Sequence, residues 1–157
     1  MKKGVIVLII ISFIVSGLFF QIMFSNNTYD DIYDNNNIIT SIADSYAYRN
    51  RIGKNETNET KPSFHLSGME TLWEIKSDDE TSILVDYFSQ VKKGKLKLVI
   101  IQPDDIVQTI FEGSGEDKVK VSLKKERNRI KVVGKNAKGE INFRILALDD
   151  IRVIPRN

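Results

Sequence analysis

The residues in this chain that could carry chemistry are few and scattered. His65 is the only histidine among 157 residues, and there is no cysteine. A multi-histidine metal site, a thiolate zinc site, a disulfide and thiol redox chemistry are therefore all excluded. Two carboxylate groupings, Asp78-Asp79-Glu80 and Asp104-Asp105, could offer hard oxygen ligands to calcium or an acid–base pair to an enzyme. Neither follows the EF-hand spacing, and Asp is an ordinary turn former. Glu112-Gly-Ser-Gly-Glu116 is glycine-rich, but a phosphate loop places a lysine at the start of a helix, and here a strand pattern follows. Trp73, the only tryptophan, has two readings: a core residue, or a platform on which a sugar ring stacks. The second makes it the candidate ligand-binding residue. Asn26, Asn55 and Asn58 each begin an Asn-x-Ser/Thr triplet, within a stretch that is rich in Asn and Thr throughout. No spacing assembles a nucleophile with its base or cradles a cofactor. The chain is accordingly expected to be non-enzymatic and to need no cofactor.

The elements that would position these residues read mostly as strands. From Ser63 onward apolar and polar residues alternate with a period of two, the pattern of a strand with one buried face. The runs are Phe64–Leu66, Leu72–Ile75, Ile83–Phe88, Leu96–Ile101, Ile106–Phe111, Val119–Leu123, Ile130–Val132 and Ile141–Ile145. Lys93-Gly94, Pro103-Asp104-Asp105, Gly113-Ser114-Gly115 and Lys138-Gly139 fall between runs, as turns would require. Seven to eight such strands predict an all-β domain, an antiparallel β-sandwich, over residues 63–157. Leu96–Ile101 is the most continuously apolar run and is expected in the interior. The Lys-studded Val119–Leu123 run is expected at an edge or as a strand with one wet face. Leu146, Leu148, Ile151, Val153 and Ile154 predict a last strand ended by Pro155.

Ahead of the domain, residues 25–62 read as a polar stalk, with Asn26-Asn27, Asn35-Asn36-Asn37 and a tandem Asn-Glu-Thr repeat over residues 55–60. Within it, Asn37 could cap a short helix over residues 38–52 carrying Ile38, Ile39, Ile42 and Tyr46 on one face. Residues 4–24 contain no charge and follow Lys2 and Lys3. About 20 such residues cross a bilayer as a helix. The apolar run is longer than that of a signal peptide and lacks a small-x-small cleavage site, which favours an uncleaved anchor in the lipid bilayer over a cleaved signal and a secreted product. The two lysines place the N-terminus in the cytoplasm and the domain outside. Net charge is only +2, with both signs interspersed, so no nucleic-acid partner is expected.

The strings Gly68-Met-Glu-Thr-Leu-Trp73-Glu-Ile, Lys93-Gly-Lys-Leu-Lys-Leu-Val-Ile-Ile-Gln-Pro103-Asp, Phe111-Glu-Gly-Ser-Gly115 and Arg129-Ile-Lys-Val-Val-Gly134-Lys-Asn-Ala-Lys-Gly139 resemble a recurring set of small secreted or membrane-anchored β-sandwich proteins of Gram-positive bacteria, themselves uncharacterised. The resemblance implies a fold and a location, and transfers no site residue. The resulting expectation is an extracytoplasmic sandwich that binds an envelope protein or a wall glycan. The alternative is an accessory or structural subunit of a membrane complex, acting through the anchor and the helix over residues 38–52.

Overall fold

A computed structural model describes residues 29–53, 55–61, 63–146 and 151–156. The expected anchor over residues 4–24 lies outside the described residues, and among those described no helix is long and apolar enough to cross a membrane. The described chain is all-β: an eight-stranded antiparallel sheet built from β1 (Ser45–Ile52), β2 (Glu59–Thr60), β3 (Ser63–Ser77), β4 (Thr81–Ile101), β5 (Val107–Glu112), β6 (Gly115–Leu123), β7 (Glu126–Ile145) and β8 (Ile151–Pro155). A 3-10 turn (Asp30–Ile32) and a one-turn helix α1 (Asn36–Ile39) precede it.

The sheet is folded over on itself. β3, β4 and β7 are each long enough to run through both halves, so six of the expected short strands are in fact three long ones. In the first layer, Gly68–Ser77 of β3 pairs with Glu126–Gly134 of β7, which pairs with Lys95–Ile101 of β4, which pairs with β5. β8 completes this layer along Trp73–Ser77. In the second layer, β2 lies on the end of β7, β7 pairs with Val85–Val91 of β4, and Thr81–Ser89 of β4 pairs with β6. Side chains from the inner faces of both layers form one core, including Leu98, Ile100 and Val132 from the first and Val85, Val121 and Phe143 from the second. Edge-on ring contacts cross it from Trp73 and from Phe111 to Phe143, at 5.1 and 6.3 Å between centroids.

Two of the expected turns are therefore corrected. Lys93-Gly94 and Lys138-Gly139 are bends inside β4 and β7, where the ladder shifts register without breaking. A bend needs the same glycine and exposed lysine that a turn needs, because the backbones crowd and both faces switch between core and solvent. Gly94 has φ +72°, and a Cβ there would fall 2.2 Å from the carbonyl oxygen of Asn136. Pro103–Asp105 and Gly113–Ser114 do separate strands. β6 lies at an edge, beside β4 alone, and Leu96–Ile101 is flanked on both sides by strands, as expected.

The larger correction concerns the stalk. Residues 29–44 form a strap across the outer face of the first layer. Ile32, Tyr33 and Ile39 are buried there against Met69, Val99, Ile101 and Val133. Burial of each is favourable by about 1.5–3 kcal/mol. The helix over residues 38–52 is not formed: α1 ends at Ile39, its cap is Asn35 rather than Asn37, and β1 follows, paired to β3. Helical spacing of Ile38, Ile42 and Tyr46 coincided with strand alternation in Tyr46 and Tyr48, and pairing to an open strand edge outweighs a marginal short helix. Beneath the strap, Lys131 is fully buried. Its Nζ donates to the Ser41 carbonyl at 2.7 Å and lies 3.2 Å from Asp44, which also accepts from Thr71 at 2.7 Å. Arg129 donates to the carbonyls of Thr40 and Ser41, both at 2.8 Å.

Two outcomes follow from this arrangement. Gly94→Ala and Gly113→Ala adopt similar positive φ, but only the first is crowded by backbone; Gly113 has nothing within 4 Å of a Cβ. Urea unfolding followed by Trp73 fluorescence should show a loss of about 1 kcal/mol for Gly113→Ala and at least about 2 kcal/mol for Gly94→Ala. Removing one member of the clamp should hurt more than replacing the other by an apolar isostere. Asp44→Ala leaves the Lys131 ammonium buried and undercompensated, so it should destabilise by about 2–3 kcal/mol, and Lys131→Met by less.

Candidate functional site

In the second layer, Ile83 and Val85 of β4 and Ile141, Phe143 and Ile145 of β7 point into the core. Alternation then turns Asp86, Phe88, Asn142 and Arg144 outward. The register sets them side by side: Asp86 lies opposite Lys118 on one edge and Arg144 on the other, and Phe88 lies opposite Glu116 and Asn142. Neighbouring strands are about 4.8 Å apart, so these six side chains converge on one patch. They line a shallow depression of about 470 Å³. Phe88 is 42% exposed, a large apolar ring open to solvent on a polar sheet face. The strand beneath is fixed by Tyr87, which points inward and stacks on Phe111 with centroids 4.4 Å apart and planes 14° from parallel. Arg144 is held by Glu59 at 3.1 Å. Among the described residues the side chains of Asp86, Glu116, Lys118 and Asn142 have no ion-pair or hydrogen-bond partner. An exposed ring beside uncommitted donors and acceptors is amphipathic in the same sense as a sugar, whose ring has an apolar C–H face and a polar hydroxyl rim.

Trp73 does not belong to this patch. It is completely buried in the core, and its Nε1 donates to the Glu56 carbonyl at 2.7 Å. No face of the indole is open to a sugar, so the platform reading of Trp73 is withdrawn in favour of the core reading. His65 is half-buried and its Nε2 pairs with Asn136 Oδ1 at 2.8 Å. Asp78-Asp79-Glu80 forms the exposed β3–β4 turn, with Glu80 held by Lys124 at 2.9 Å. Asp105 faces Arg129 at 3.5 Å. Glu112 ends β5, Gly113–Ser114 form the turn and Gly115-Glu116 begin β6, with Ser89 Oγ donating to the Gly113 carbonyl at 2.8 Å. Asn55 is buried, accepting from Thr60 at 2.7 Å and donating to the Arg156 carbonyl at 2.5 Å, which removes it as a glycan acceptor in the folded state. Among the described residues no group of three or more His, Cys, Asp or Glu could hold a metal ion.

A second polar cluster sits where β1 meets β3. Tyr48 donates its hydroxyl to the buried Glu70, whose other oxygen lies 3.3 Å from Arg51. Burial pushes the Glu70 carboxyl above its ordinary value; the Tyr48 hydrogen bond and Arg51 oppose that, and Asp44 adds to it. Burial, then Glu70 itself, push the Tyr48 phenol up as well. Such a carboxyl resembles a general acid in its chemistry, but both of its oxygens are occupied by Tyr48 and Arg51. The cluster is a lock between two strands.

Phe88 is the residue that pattern reading passed over. Its signal was present: an aromatic ring on the polar parity of an alternating strand, where Leu84 and Asp86 also fall.

No family model matches the chain, and no curated protein matches it in sequence. Solved structures that overlay on it include a family 35 carbohydrate-binding module from an environmental isolate, at 13% identity over 72% of this chain and 83% of that one, with a TM-score of 0.38. A xylan-binding domain from Paenibacillus barcinonensis overlays at 9% identity over 72% and 88%, with a TM-score of 0.28. A family two carbohydrate esterase from Cellvibrio japonicus overlays at 10% identity over 73% and 36%, with a TM-score of 0.32.

The Glu70 lock has a signature in pH. Its folded pKa is raised, so the folded state binds the extra proton and stability falls as pH rises from about 4.5 through the folded value. Denaturant midpoints measured from pH 4 to 7 should show that fall in the native chain and a flatter profile in Glu70→Gln.

Proposed function

We propose that the chain is a non-enzymatic, extracytoplasmic binding domain that takes a glycan, of the kind found in a cell wall, on the Phe88 face of its second layer. Residues 4–24 hold it in the membrane, with Lys2 and Lys3 on the cytoplasmic side. The observation that carries the binding reading is the exposed Phe88 ring flanked by the uncommitted side chains of Asp86, Glu116, Lys118 and Asn142. The ring buries the apolar face of one sugar unit, and the surrounding groups exchange water for hydroxyls, which fixes orientation more than it adds affinity. A single open ring supports modest affinity, suited to a repeating polymer that presents many equivalent units. The accessory-subunit alternative drew on the anchor and on a helix over residues 38–52, where a helix ends at Ile39 and β1 runs over Ser45–Ile52.

The test is co-sedimentation of the detergent-solubilised full chain with insoluble wall glycan. Retention by the native chain is expected, with at least about tenfold weaker retention for Phe88→Ala, equivalent to about 1.4 kcal/mol. The thermal midpoint should be unchanged, because the ring lies outside the core. Equal retention of the two forms, or none by the native chain, overturns the glycan reading. Release of soluble sugar from the pellet overturns the non-enzymatic one.

A further inference from the structure

We infer that the strap side of the first layer rests on the lipid surface through Ile38 and Ile42, so that the Phe88 face is turned away from the membrane. This rests on the proposed anchor, and it adds an orientation that the anchor alone does not supply.

Three observations carry it. First, the stalk that would have let the domain swing freely is absorbed into the fold. Only residues 25–28 separate the end of the apolar segment from Tyr29, which begins the strap and packs against its buried cluster. Even fully extended, the chain from Phe24 to Tyr29 reaches about 17 Å. Second, the order of layers is fixed: strap, first layer, core, second layer, Phe88 face. With about 10 Å between packed layers, the Phe88 face lies about 20 Å or more from the strap. The tether is too short to lay that face on the bilayer while Phe24 remains at its surface. Third, among the described residues nothing covers two apolar side chains of the strap: Ile42 is 81% exposed and Ile38 36%. Ile42 lines a depression with Thr40, Gln102 and Pro103, and Arg129 links the strap to the β4–β5 loop by donating to the Thr40 and Ser41 carbonyls while lying 3.5 Å from Asp105. Charge contributes little, since Arg127, Asp105 and Glu126 share this surface. Shallow insertion of isoleucine tips into the interface supplies the attraction.

The chain has no cysteine, so single labels are unambiguous. The full-length protein is reconstituted into phosphatidylcholine–phosphatidylglycerol vesicles, carrying an environment-sensitive fluorophore at Ile42→Cys or at Lys120→Cys. Ile42 is highly exposed, and Lys120 is an exposed residue of β6 in the second layer, so neither change disturbs packing. Quenching by brominated lipids should be several-fold stronger at position 42 than at position 120, with a blue-shifted emission at 42 only. Ile42→Cys with Ile38→Ser should lose most of that quenching while near-ultraviolet circular dichroism of the core stays constant. If the protein stays with the vesicles through an alkaline carbonate wash but quenches equally at both positions, or more at 120, the orientation is overturned and the anchor stands. If the wash releases it, the anchor reading falls and the orientation falls with it. Loss of glycan retention in Phe88→Ala is independent of either result.

Discussion

The structure depends on three strands that stay hydrogen-bonded while they change layers. In a sandwich made of separate strands, each layer could form or fail by itself. Here β3, β4 and β7 belong to both layers, and the ladder between β4 and β7 runs from Val85–Ile145 at one end to Ile101–Arg129 at the other. The crossing is possible only where the backbones come close enough to bend together, which is why Gly94 sits against the carbonyls of Lys135 and Asn136. Once the bend is made, the inner faces are opposed and the core between them fills with branched aliphatic residues and the linked rings of Trp73, Phe143, Phe111 and Tyr87.

The strap follows from the same geometry. Wrapping the sheet around one core leaves the outer face of the first layer with Val99, Ile101, Met69 and Val133, too apolar to face water. Ile32, Tyr33 and Ile39 cover it. The buried ammonium of Lys131 is a stringent part of that cover, because it is tolerated only while Ser41 and Asp44 are in place. Burial pushes its pKa down and Asp44 pushes it back up. Among the described residues the second layer has no such cover. Its outer face is charged and crossed by alternating signs from Glu59 through Arg144 and Asp86 to Lys118, with Phe88 as the large exposed aromatic among them.

Much of this was legible in sequence, and what was missed has physical causes. Alternation places Ile83, Val85, Val121, Phe143 and Ile145 on buried faces because a half-buried strand can hardly do otherwise. The edge role of Val119–Leu123 follows from its lysines. The bends at Gly94 and Gly139 could not be told from turns, since both require glycine flanked by polar residues. The strap was hidden because three apolar residues among Asn and Asp do not form a period. Its requirement was nonetheless written elsewhere: Leu98–Ile101 is apolar on both parities, and a strand buried on both faces needs a second layer of cover. Lys131 was misleading for a similar reason, as a lysine within an alternating strand reads as a wet face. Phe88 was visible as an exception to parity, and an exception acquires meaning only when its neighbours on adjacent strands are known.

The position of β7 has a kinetic consequence. Its residues 126–145 pair with β2, β3 and β4, and β8 then closes the edge of β3 some 75–80 residues away in sequence. Neither layer can assemble until β7 has been made, because that strand joins parts that all precede it in sequence. Such non-local pairing places folding in the slow, millisecond-to-second range of small β proteins. Until then β3 and β4 expose long unpaired edges, so the interval between synthesis and closure is when the chain is most open to aggregation or to a chaperone.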